Sequence, residues 1–465
     1  MSRRAILVLA AGGSVAFWLA WAAPPRHPLA HAQNPGPNRA ASAKPAPERP
    51  AATGLTPAAV AQPEPTKDPA GKEPAGNKSA AVEKPSPLTP ADALAAFQVE
   101  PGLRVELVAA EPLIESPVAV AFDARGRMFV AENRGYPTGP EDAGRIAMLE
   151  DTDHDGRYDR RSEFATGLSY PNGMLPWRDG MIVTAAPDIL YLADTDGDGR
   201  SDQREVLFTG FSTAQSTQLR VSHPQFGLDN WIYVTGGLSG GKVTSPKNPD
   251  HPVVEFGRAD FRFLPDCSQF EAVNGGGQFG MSFDDAGHRF ILYNRVQVQH
   301  VVLPERYLKR NRHLPATSTV QDCPADMVPE PLAHHGHAAR LYPISHNITT
   351  ADSHAGTFTA ACGLLIYRSS GLPERYRGCA FTCDPTGNLV HWDRLEPEGA
   401  TFIAQRSEEP REFLASSDDW FRPCNLAQGP DGALYVCDMY RKTIEHPDYL
   451  PPEIRKHTDF ESGKG

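Results

Sequence analysis

Two aspartate-rich runs carry the clearest chemical signal in this sequence. Each run has aspartate at its first, third, fifth and ninth positions and glycine at its sixth. The aspartates are Asp151, Asp153, Asp155 and Asp159 in the first run and Asp194, Asp196, Asp198 and Asp202 in the second. Calcium takes six to eight oxygen ligands, and alternate aspartates in a tight loop direct their carboxylates at one point. The repeated pattern predicts two calcium loops; the alternative is a pair of acidic surface turns without an ion.

The position of these runs suggests a structural role for the metal. Each run lies between two apolar segments that read as strands, so we expect it to connect a β-hairpin and not two helices. Glu205 stands at the twelfth position of the second run and Ser162 at that of the first, so a twelfth ligand is not expected to be required. Calcium here would hold a hairpin in place.

His223 is the predicted catalytic residue, a general base, because imidazole titrates near neutral pH. The alternative is a loop histidine that bonds a backbone carbonyl. Arg134 and Arg422 are able to bind an anionic cofactor or substrate through the paired N–H donors of their guanidinium groups, with Glu132 or Asp438 orienting them. The alternative is that each of these residues forms a structural ion pair. The residues predicted to bind a cofactor are Glu132, Arg134, Asn172, Gln278, Arg422, Asp438 and Tyr440.

The seven cysteines leave three interpretations open. Cys362 and Cys383, and likewise Cys424 and Cys437, stand at places that predict cross-strand disulfides. The alternatives are free buried thiols, or one metal site built from the four sulfurs. An odd number of cysteines leaves at least one thiol unpaired.

A repeated unit positions these residues: an apolar strand, an Asp/Gly turn, and a second strand with an aromatic residue. Such turns between apolar runs are hairpin signals, because glycine accepts positive φ and aspartate caps its own turn. Clear copies begin at Val118, Phe226, Gly280 and Leu426, and weaker ones at Asn172 and Cys362. Six copies predict an all-β fold, a six-bladed β-propeller over residues 91–455, in preference to a two-sheet sandwich.

The N-terminal residues predict export. Arg3 and Arg4 precede an apolar run over residues 5–23, and Ala30-His31-Ala32 follows as a cleavage site. Residues 1–32 are thus a signal peptide, with an uncleaved inner-membrane anchor as the alternative, and the protein is periplasmic or secreted. Residues 33–90 form a disordered Ala/Pro/Lys-rich linker, and residues 456–465 form a tail. The net charge of −12 without a basic stripe argues against nucleic acid as a partner.

Several longer runs carry a family resemblance. They are residues 111–122, 190–199, 226–233, 413–416, 420–423 and 429–441, the last reading Gly-Pro-Asp-Gly-Ala-Leu-Tyr-Val-Cys-Asp-Met-Tyr-Arg. Over residues 95–455 the chain resembles the planctomycete-type family of membrane-bound dehydrogenase domains. That family is similar to the soluble quinoprotein glucose and sorbosone dehydrogenases, six-bladed propellers that bind pyrroloquinoline quinone (PQQ) and calcium at the channel mouth. The resemblance implies both cofactors, and His223 stands at a place comparable to that of their catalytic base.

The resemblance also implies a route for electrons. Many family members carry a haem c domain, but this sequence has no Cys-x-x-Cys-His attachment motif: Cys379 and Cys383 are three residues apart and are followed by Asp384. We therefore expect an exported sugar or alcohol dehydrogenase that passes electrons to a separate acceptor such as a cytochrome c. The alternatives are a non-catalytic, calcium-stabilised propeller that binds carbohydrate or protein, and a lactonase-like, metal-dependent hydrolase.

Overall fold

The structure is a computed structural model that describes residues 5–11, 87–311, 313, 318–329, 337–345, 356–407, 410–447 and 455. The chain divides into two compact units, residues 14–85 and the remainder. The predicted linker up to residue 86, most of the predicted signal peptide and the tail lie outside the described residues. None of the helices in the described part is long and apolar enough to span a bilayer.

The described chain is an all-β propeller, as the repeat predicts. Its one α-helix, α1, spans Pro90–Ala95 and is capped by Thr89, whose side chain accepts a hydrogen bond from Asp92 N. Three early strands precede the first blade: β1 (Ala5–Ala11), β2 (Phe97–Val99) and β3 (Leu103–Ala110). Short 3₁₀ turns occur at Glu141–Ala143, Thr217–Leu219, Glu305–Arg310 and Glu374–Tyr376.

Five blades are antiparallel sheets whose strands come mainly from one stretch of chain. Blade 1 contains β4 (Pro117–Phe122), β5 (Met128–Glu132), β6 (Gly144–Glu150) and β7 (Arg160–Leu168). Blade 2 contains β8 (Gly173–Trp177), β9 (Gly180–Ala185), β10 (Asp188–Ala193) and β11 (Gln203–Phe211). Blade 3 contains β12 (Ser222–Phe226), β13 (Ile232–Thr235), β16 (Asp260–Phe263) and β17 (Phe270–Val273). Between β13 and β16 the chain forms β14 (Gly241–Thr244) and β15 (Val254–Phe256), which extend blade 2.

The remaining strands follow the same plan. Blade 4 contains β18 (Met281–Phe283), β19 (Arg289–Tyr293), β20 (Val296–Val301) and β21 (Val320–Asp322), and β22 (Val328–Pro329) pairs with β23 (His337–Ala338). Blade 5 contains β24 (Cys362–Ile366), β25 (Ala380–Asp384), β26 (Leu389–Glu398) and β28 (Leu414–Ser416), with β27 (Thr401–Arg406) on β26 and β2 on β28. A further sheet joins β29 (Pro423–Gln428) and β30 (Leu434–Asp438) to β1 and β3 from the other end of the sequence.

Each blade has two ends with different roles. In blade 1 the start of β4 lies beside the end of β5, because Pro117 pairs with Glu132; we call this the mouth end. The turn between the two strands is at the opposite, hairpin end, where Asp123 Oδ1 accepts hydrogen bonds of 2.9 Å from the amides of Arg125 and Arg127. Gly126 completes this turn at φ 78°.

The Asp runs lie at the hairpin end. Leu149, near the end of β6, pairs with Met128 at the start of β5, so the run that follows β6 leaves the sheet beside the first turn. Tyr158 Oη donates to Gly126 O at 3.4 Å, which confirms this placement. The second run follows β10 in the same way. The predicted calcium loops and the predicted catalytic residue are therefore at opposite ends of the propeller.

Packing between blades is dominated by aromatic and aliphatic side chains. Between blades 2 and 3 the buried Phe208 ring lies 4.7 Å from Phe263 and 5.1 Å from Phe270, centroid to centroid. Such contacts add about 0.5–1.5 kcal/mol per pair beyond area burial. These contacts join the third and fourth strands of blade 3 to the fourth strand of blade 2.

Candidate functional site

Hydrogen bonds between blades gather the mouth residues into one network. Asn133 Nδ2 donates to Asn172 Oδ1 at 3.1 Å, which joins blades 1 and 2, and Asn172 Nδ2 donates to Thr217 O at 3.4 Å toward blade 3. Both asparagine side chains are almost fully buried. Asn172 therefore links blades, and its amide is not open to a cofactor.

His223 lies at the start of β12 in a strained, buried position. Its φ is 53°, in the left-handed region that is uncommon for residues other than glycine. The ring packs edge-on against Phe279 with centroids 4.7 Å apart. Nδ1 lies 2.8 Å from Ser222 Oγ, and Nε2 lies 3.3 Å from Oδ1 of Asn425 on β29. The histidine thus connects blade 3 with β29.

The hydrogen bonds assign the tautomer of His223. Leu426 N donates to Asn425 Oδ1, so this oxygen is an acceptor and Nε2 must carry the proton that it receives. Nδ1 then accepts from the hydroxyl of Ser222. Burial lowers the pKa of His223 to about 4, with the Asn425 contact acting weakly in the opposite sense. The ring is neutral at pH 7, and both nitrogens are engaged within the protein.

Glu132 and Arg134 have different roles although they are two residues apart. The buried Glu132 carboxylate accepts two hydrogen bonds of 3.0 Å from Arg161, forms an ion pair with Arg145, and accepts the amide of Glu115. It is fully committed to structure. Arg134 is 45% exposed and pairs with Glu115 at 2.8 Å, so its guanidinium is the more accessible of the two predicted arginines.

Arg422 is buried and structural, contrary to its predicted role in binding an anionic cofactor. Its guanidinium donates to the carbonyl oxygens of Arg441 at 3.1 Å and Pro385 at 2.7 Å, and to that of Lys442. No side of the group is open to solvent, because Arg422 is 0% exposed. A buried guanidinium with carbonyl partners on several sides fixes the segment that follows β30 and has no donor left for a ligand.

Asp438 and Tyr440 belong to the same buried structure. Asp438 Oδ1 accepts from the amides of Arg422 and Tyr440, both at 2.8 Å, and burial raises the pKa of Asp438 to about 8. The Tyr440 hydroxyl donates to Asp418 Oδ2 at 2.9 Å and accepts from the amide of Leu88. These residues tie the segment after β30 to the segment before α1.

A second accessible polar group at the mouth lies between blades 3 and 4. Tyr293 ends β19, and its ring has two guanidinium groups over it, Arg258 at 5.0 Å and Arg295 at 5.8 Å. Arg258 is exposed. Beside them, Asn294 Oδ1 is buried without a hydrogen-bond partner among the described residues, and Asn294 N donates to Gln278 Oε1 at 3.3 Å. We call Arg258, Gln278, Tyr293, Asn294 and Arg295 the blade 3–4 cluster.

A glycine run gives this cluster its open shape. Gly275, Gly276 and Gly277 connect β17 to the start of blade 4, and Gly275 and Gly276 have φ of 146° and 86°. A Cβ on Gly276 would meet Arg258 Cγ at 2.9 Å, so the backbone passes directly beneath the arginine stem. Buried Asp260 holds the run by accepting from Gly277 N at 3.0 Å.

Each Asp loop brings three carboxylates together. One oxygen from each of Asp151, Asp153 and Asp155 lies within 4.8 Å of the others, and Asp194, Asp196 and Asp198 form the same arrangement. Asp151 Oδ1 is buried and lacks a hydrogen-bond partner among the described residues, as expected of an oxygen directed at a cation. Both trios have the donor type and spacing that calcium requires.

The residues at the ninth position of both Asp runs, and at the twelfth position of the second run, bond to side chains outside the trios. Asp202 accepts from the amide and hydroxyl of Thr195 at 2.8 and 2.5 Å, and Asp159 bonds Thr152 in the same way. These bonds lower the pKa of both carboxyls. Glu205 pairs with Lys247 at 2.6 Å. The structure therefore does not bring Asp159 and Asp202 into the trios, and Glu205 is engaged by Lys247.

The predicted disulfides are absent: all seven cysteines, each within the described residues, are free and buried. Cys362 does pair with Cys383 in register, but its Sγ lies 3.8 Å from the carbonyl oxygens of Cys383 and Pro423. Cys424 Sγ lies 3.5 Å from Cys437 O and Pro117 O. The register is irregular at the starts of β24 and β29, and each of these sulfurs faces one backbone carbonyl of its own sheet and one of the next sheet. Among the described residues they form no metal-binding group either.

Sequence reasoning missed Arg258 and Tyr293. Arg258 precedes β16 in a long excursion between blades 2 and 3, and no motif marks it. The one signal that pointed to the area was the run Gly275–Gly277 before Gln278, since consecutive glycines indicate close approach by other groups.

The fold and mouth define the class as an all-β propeller with a polar network at one end of its channel. Residues 89–465 match the family described as a domain of unknown function, DUF7133, and the chain belongs to that family. No curated protein matches the sequence.

Solved propellers are similar at low identity. The PQQ domain of pyranose dehydrogenase from Coprinopsis cinerea is 13% identical, covering 74% of this chain and 97% of that one, with a TM-score of 0.42. The PQQ-bound aldose sugar dehydrogenase from Streptomyces coelicolor is 13% identical, covering 73% and 97%, with a TM-score of 0.38. An oxidoreductase from Thermus thermophilus described as a glucose dehydrogenase is 17% identical, covering 72% and 93%, with a TM-score of 0.43.

Proposed function

We propose that this chain is an exported oxidoreductase of the quinoprotein type, a six-bladed propeller that oxidises a sugar or polyol and passes electrons to a separate acceptor such as a cytochrome c. The sixth blade in this proposal is the sheet of β29, β30, β1 and β3. The observation that carries the proposed activity is the blade 3–4 cluster, where two guanidinium groups lie over one aromatic ring beside an unpaired buried amide oxygen.

The cluster fits a planar, polycarboxylated quinone such as PQQ. Arginine pairs with carboxylates through two parallel hydrogen bonds, and among the described residues the exposed Arg258 guanidinium lies over the Tyr293 ring. The Tyr293 ring holds the two guanidinium groups near one another, and Gln278 and Asn294 place amide groups beside them. When bound, the quinone would supply the oxidising chemistry by accepting two electrons from the substrate carbon.

His223 supports this activity only with a local rearrangement. Its neutral ring is in the correct state to accept a proton at pH 7, since its pKa is about 4. Both nitrogens are occupied, however, by Ser222 and Asn425. A substrate hydroxyl would have to replace one of these partners. His223 would therefore become available as a base only when the substrate binds.

A quinone-binding measurement tests the proposal without depending on turnover. Purified full-length protein with calcium is titrated with PQQ by absorbance, and dye reduction is then measured with a panel of sugars and polyols. We expect Arg258→Ala to weaken PQQ binding at least tenfold. Arg125→Ala, an exposed arginine at the hairpin end, is the matched control and should bind as the unmodified protein does. Absence of both binding and turnover would refute the proposal.

A second candidate is a non-catalytic propeller that binds carbohydrate or protein. The observation that favours it is the internal bonding of both His223 nitrogens, which is the arrangement of a structural histidine. Retention on a polysaccharide column together with no quinone binding would support this function. The lactonase-like alternative stays a prediction; the acidic trios at the hairpin end lend it no support, because they lie away from the mouth.

A further inference from the structure

Several buried polar atoms between blades 4 and 5 have no hydrogen-bond partner among the described residues. They are His391 Nε2, Asp393 Oδ1, Gln297 Oε1, Asp326 Oδ2 and Arg406 Nε. Buried polar atoms are nearly always bonded, so an unpaired one calls for an explanation such as a bound water or ion. These atoms together point to a ligand that the protein chain itself does not supply.

Two of these atoms lie close together on strand β26. His391 and Asp393 are two residues apart, so their side chains leave the strand on the same face. Nε2 and Oδ1 lie 3.0 Å apart, but the ring N–H does not point along the line between them, since neither atom makes a hydrogen bond to a described residue. Two atoms that bind one metal ion at about 2.1 Å each lie about 3.0–3.4 Å apart and need not point at each other. The spacing is that of two ligands on one ion.

The second polar atom of each side chain is bonded to a supporting residue. His391 Nδ1 lies 2.7 Å from Oε2 of the buried Glu412. Asp393 Oδ2 accepts a hydrogen bond of 3.0 Å from Gln297 Nε2 on β20. A histidine that binds a metal almost always donates its other ring N–H to a carboxylate, a carbonyl or water, and metal-bound carboxylates are hydrogen-bonded in turn. Both supporting contacts of a metal site are therefore present.

The charges around the pair favour a cation. Asp326 is close enough to Asp393 for the two carboxylates to repel each other. Arg406 pairs with Glu412 at 3.0 Å, so this group has three carboxylates and one guanidinium. A divalent cation would reduce that excess of negative charge. Among the described residues Asp326 does not come within 4.8 Å of both ligand atoms, so a metal-bound water would connect it to the ion.

We propose that His391 Nε2 and Asp393 Oδ1 bind one first-row divalent transition metal ion, such as zinc, which stabilises the contact between blades 4 and 5. Zinc binds imidazole nitrogen, whereas calcium takes oxygen ligands, so this site differs in chemistry from the Asp trios. The two side chains are 2% and 1% exposed, which keeps substrate away from the ion and gives the ion a structural role. The ion replaces the proton that Nε2 carries in the metal-free protein. This site is independent of the proposed oxidoreductase activity.

Zinc binding by the unmodified protein is the first test. Full-length protein is freed of metal with a chelator, and zinc is titrated by calorimetry in excess calcium, which competes at the Asp trios. We expect one zinc ion per chain and a rise in Tm, since an ion that binds only the folded state stabilises it. X-ray absorption of the zinc-loaded protein should show one imidazole nitrogen and otherwise oxygen ligands at about 2.0–2.2 Å. This spectrum needs no variant, so it tests the site even where a substitution prevents folding.

Variants locate the ion. His391→Gln and Asp393→Asn each remove a ligand and should weaken zinc binding about a hundredfold or more, whereas Glu412→Gln changes a supporting contact and should weaken it about tenfold. His288→Gln is the matched control, because His288 also lies beside a carboxylate, 2.7 Å from Asp284, but is 44% exposed. It should bind zinc as the unmodified protein does.

Four results would overturn the proposal. They are no zinc binding by the unmodified protein, a spectrum with no imidazole or with several, normal zinc binding by folded His391→Gln and Asp393→Asn proteins, and an equal loss of binding in the His288→Gln control. Any of them would leave His391 and Asp393 as an ordinary buried ion pair.

Discussion

At the residue scale, burial separates the polar groups that hold the mouth together from those that are able to bind a ligand. Glu132, Arg422 and Asp438 are saturated by internal partners. Arg134 and Arg258 remain accessible. Arg422 is of the same residue type as Arg134 and Arg258, so the difference among these three arginines comes from their surroundings.

His223 should make the protein sensitive to acid. Its folded-state pKa of about 4 lies below the value of about 6.5 for an exposed histidine. The unfolded chain therefore binds a proton first, and the stabilising contribution is lost as the pH falls from about 6.5 to 4. We expect His223→Gln to flatten this part of the curve of unfolding free energy against pH, measured by urea denaturation. An unchanged slope would show that His223 is not the neutral, buried group described above.

Arg422→Ala should destabilise the protein by about 3 kcal/mol or more, because it leaves several buried carbonyl groups without a donor. Arg134→Ala, which removes a half-exposed ion pair, should cost no more than about 1 kcal/mol. Urea denaturation measures both. Equal effects would contradict the structural role assigned to Arg422, and so would a selective loss of quinone binding in a fully stable Arg422→Ala protein.

At the element scale, the second Asp loop contacts the neighbouring blade. Ser201, which follows the second trio, donates its amide to Phe164 O on β7 at 2.8 Å. The second loop therefore joins blade 1 to blade 2. A cation that orders this loop would stabilise the contact between the blades.

Calcium should raise the Tm of the unmodified protein, and a chelator should lower it, since an ion that binds the folded state alone stabilises it by mass action. Asp196→Asn with Asp198→Asn should remove most of the response of the second loop. Asp202→Asn is the matched control, because Asp202 bonds Thr195 and lies outside the trio; it should keep the calcium response at a lower basal Tm. Loss of the response in the control alone would contradict the assignment of ligands.

At the scale of the whole molecule, buried charges join one blade to the next. His391 on β26 lies 3.0 Å from Asp393 and 2.7 Å from Glu412, and Asp393 also accepts from Gln297 on β20 at 3.0 Å. Arg406 pairs with Glu412 from the other side, at 3.0 Å. This group connects blades 4 and 5.

The His391 group should make the protein sensitive to alkali. Burial opposes the charged ring, but the two adjacent carboxylates outweigh it and raise the pKa of His391 to about 9. Because the folded-state pKa is above the unfolded one, this stabilisation is complete below about pH 6.5 and is lost as the pH rises through about 9. We expect His391→Gln to be less stable at pH 6 by about 3 kcal/mol, as for a broken buried pair, and to lack this alkaline loss. A variant with the same alkaline loss as the unmodified protein would contradict the charged state of His391.

The sequence by itself determined the features that depend on neighbouring residues. These features are formed by residues close together in the chain, so the sequence pattern alone is enough to predict them. They are the Asp/Gly turns, the alternating apolar strands, the inner strands at Gly173 and Cys362 and the two Asp trios. Only the tertiary structure decided the partners of His223 and Arg422, the approach of Arg258 to Tyr293, and the free state of the cysteines. These depend on contacts between residues far apart in the chain, such as His223 with Asn425, which no local spacing encodes. Many polar residues at the mouth could be found from the sequence, although Arg258 and Tyr293 were missed, but which of them remain accessible could not.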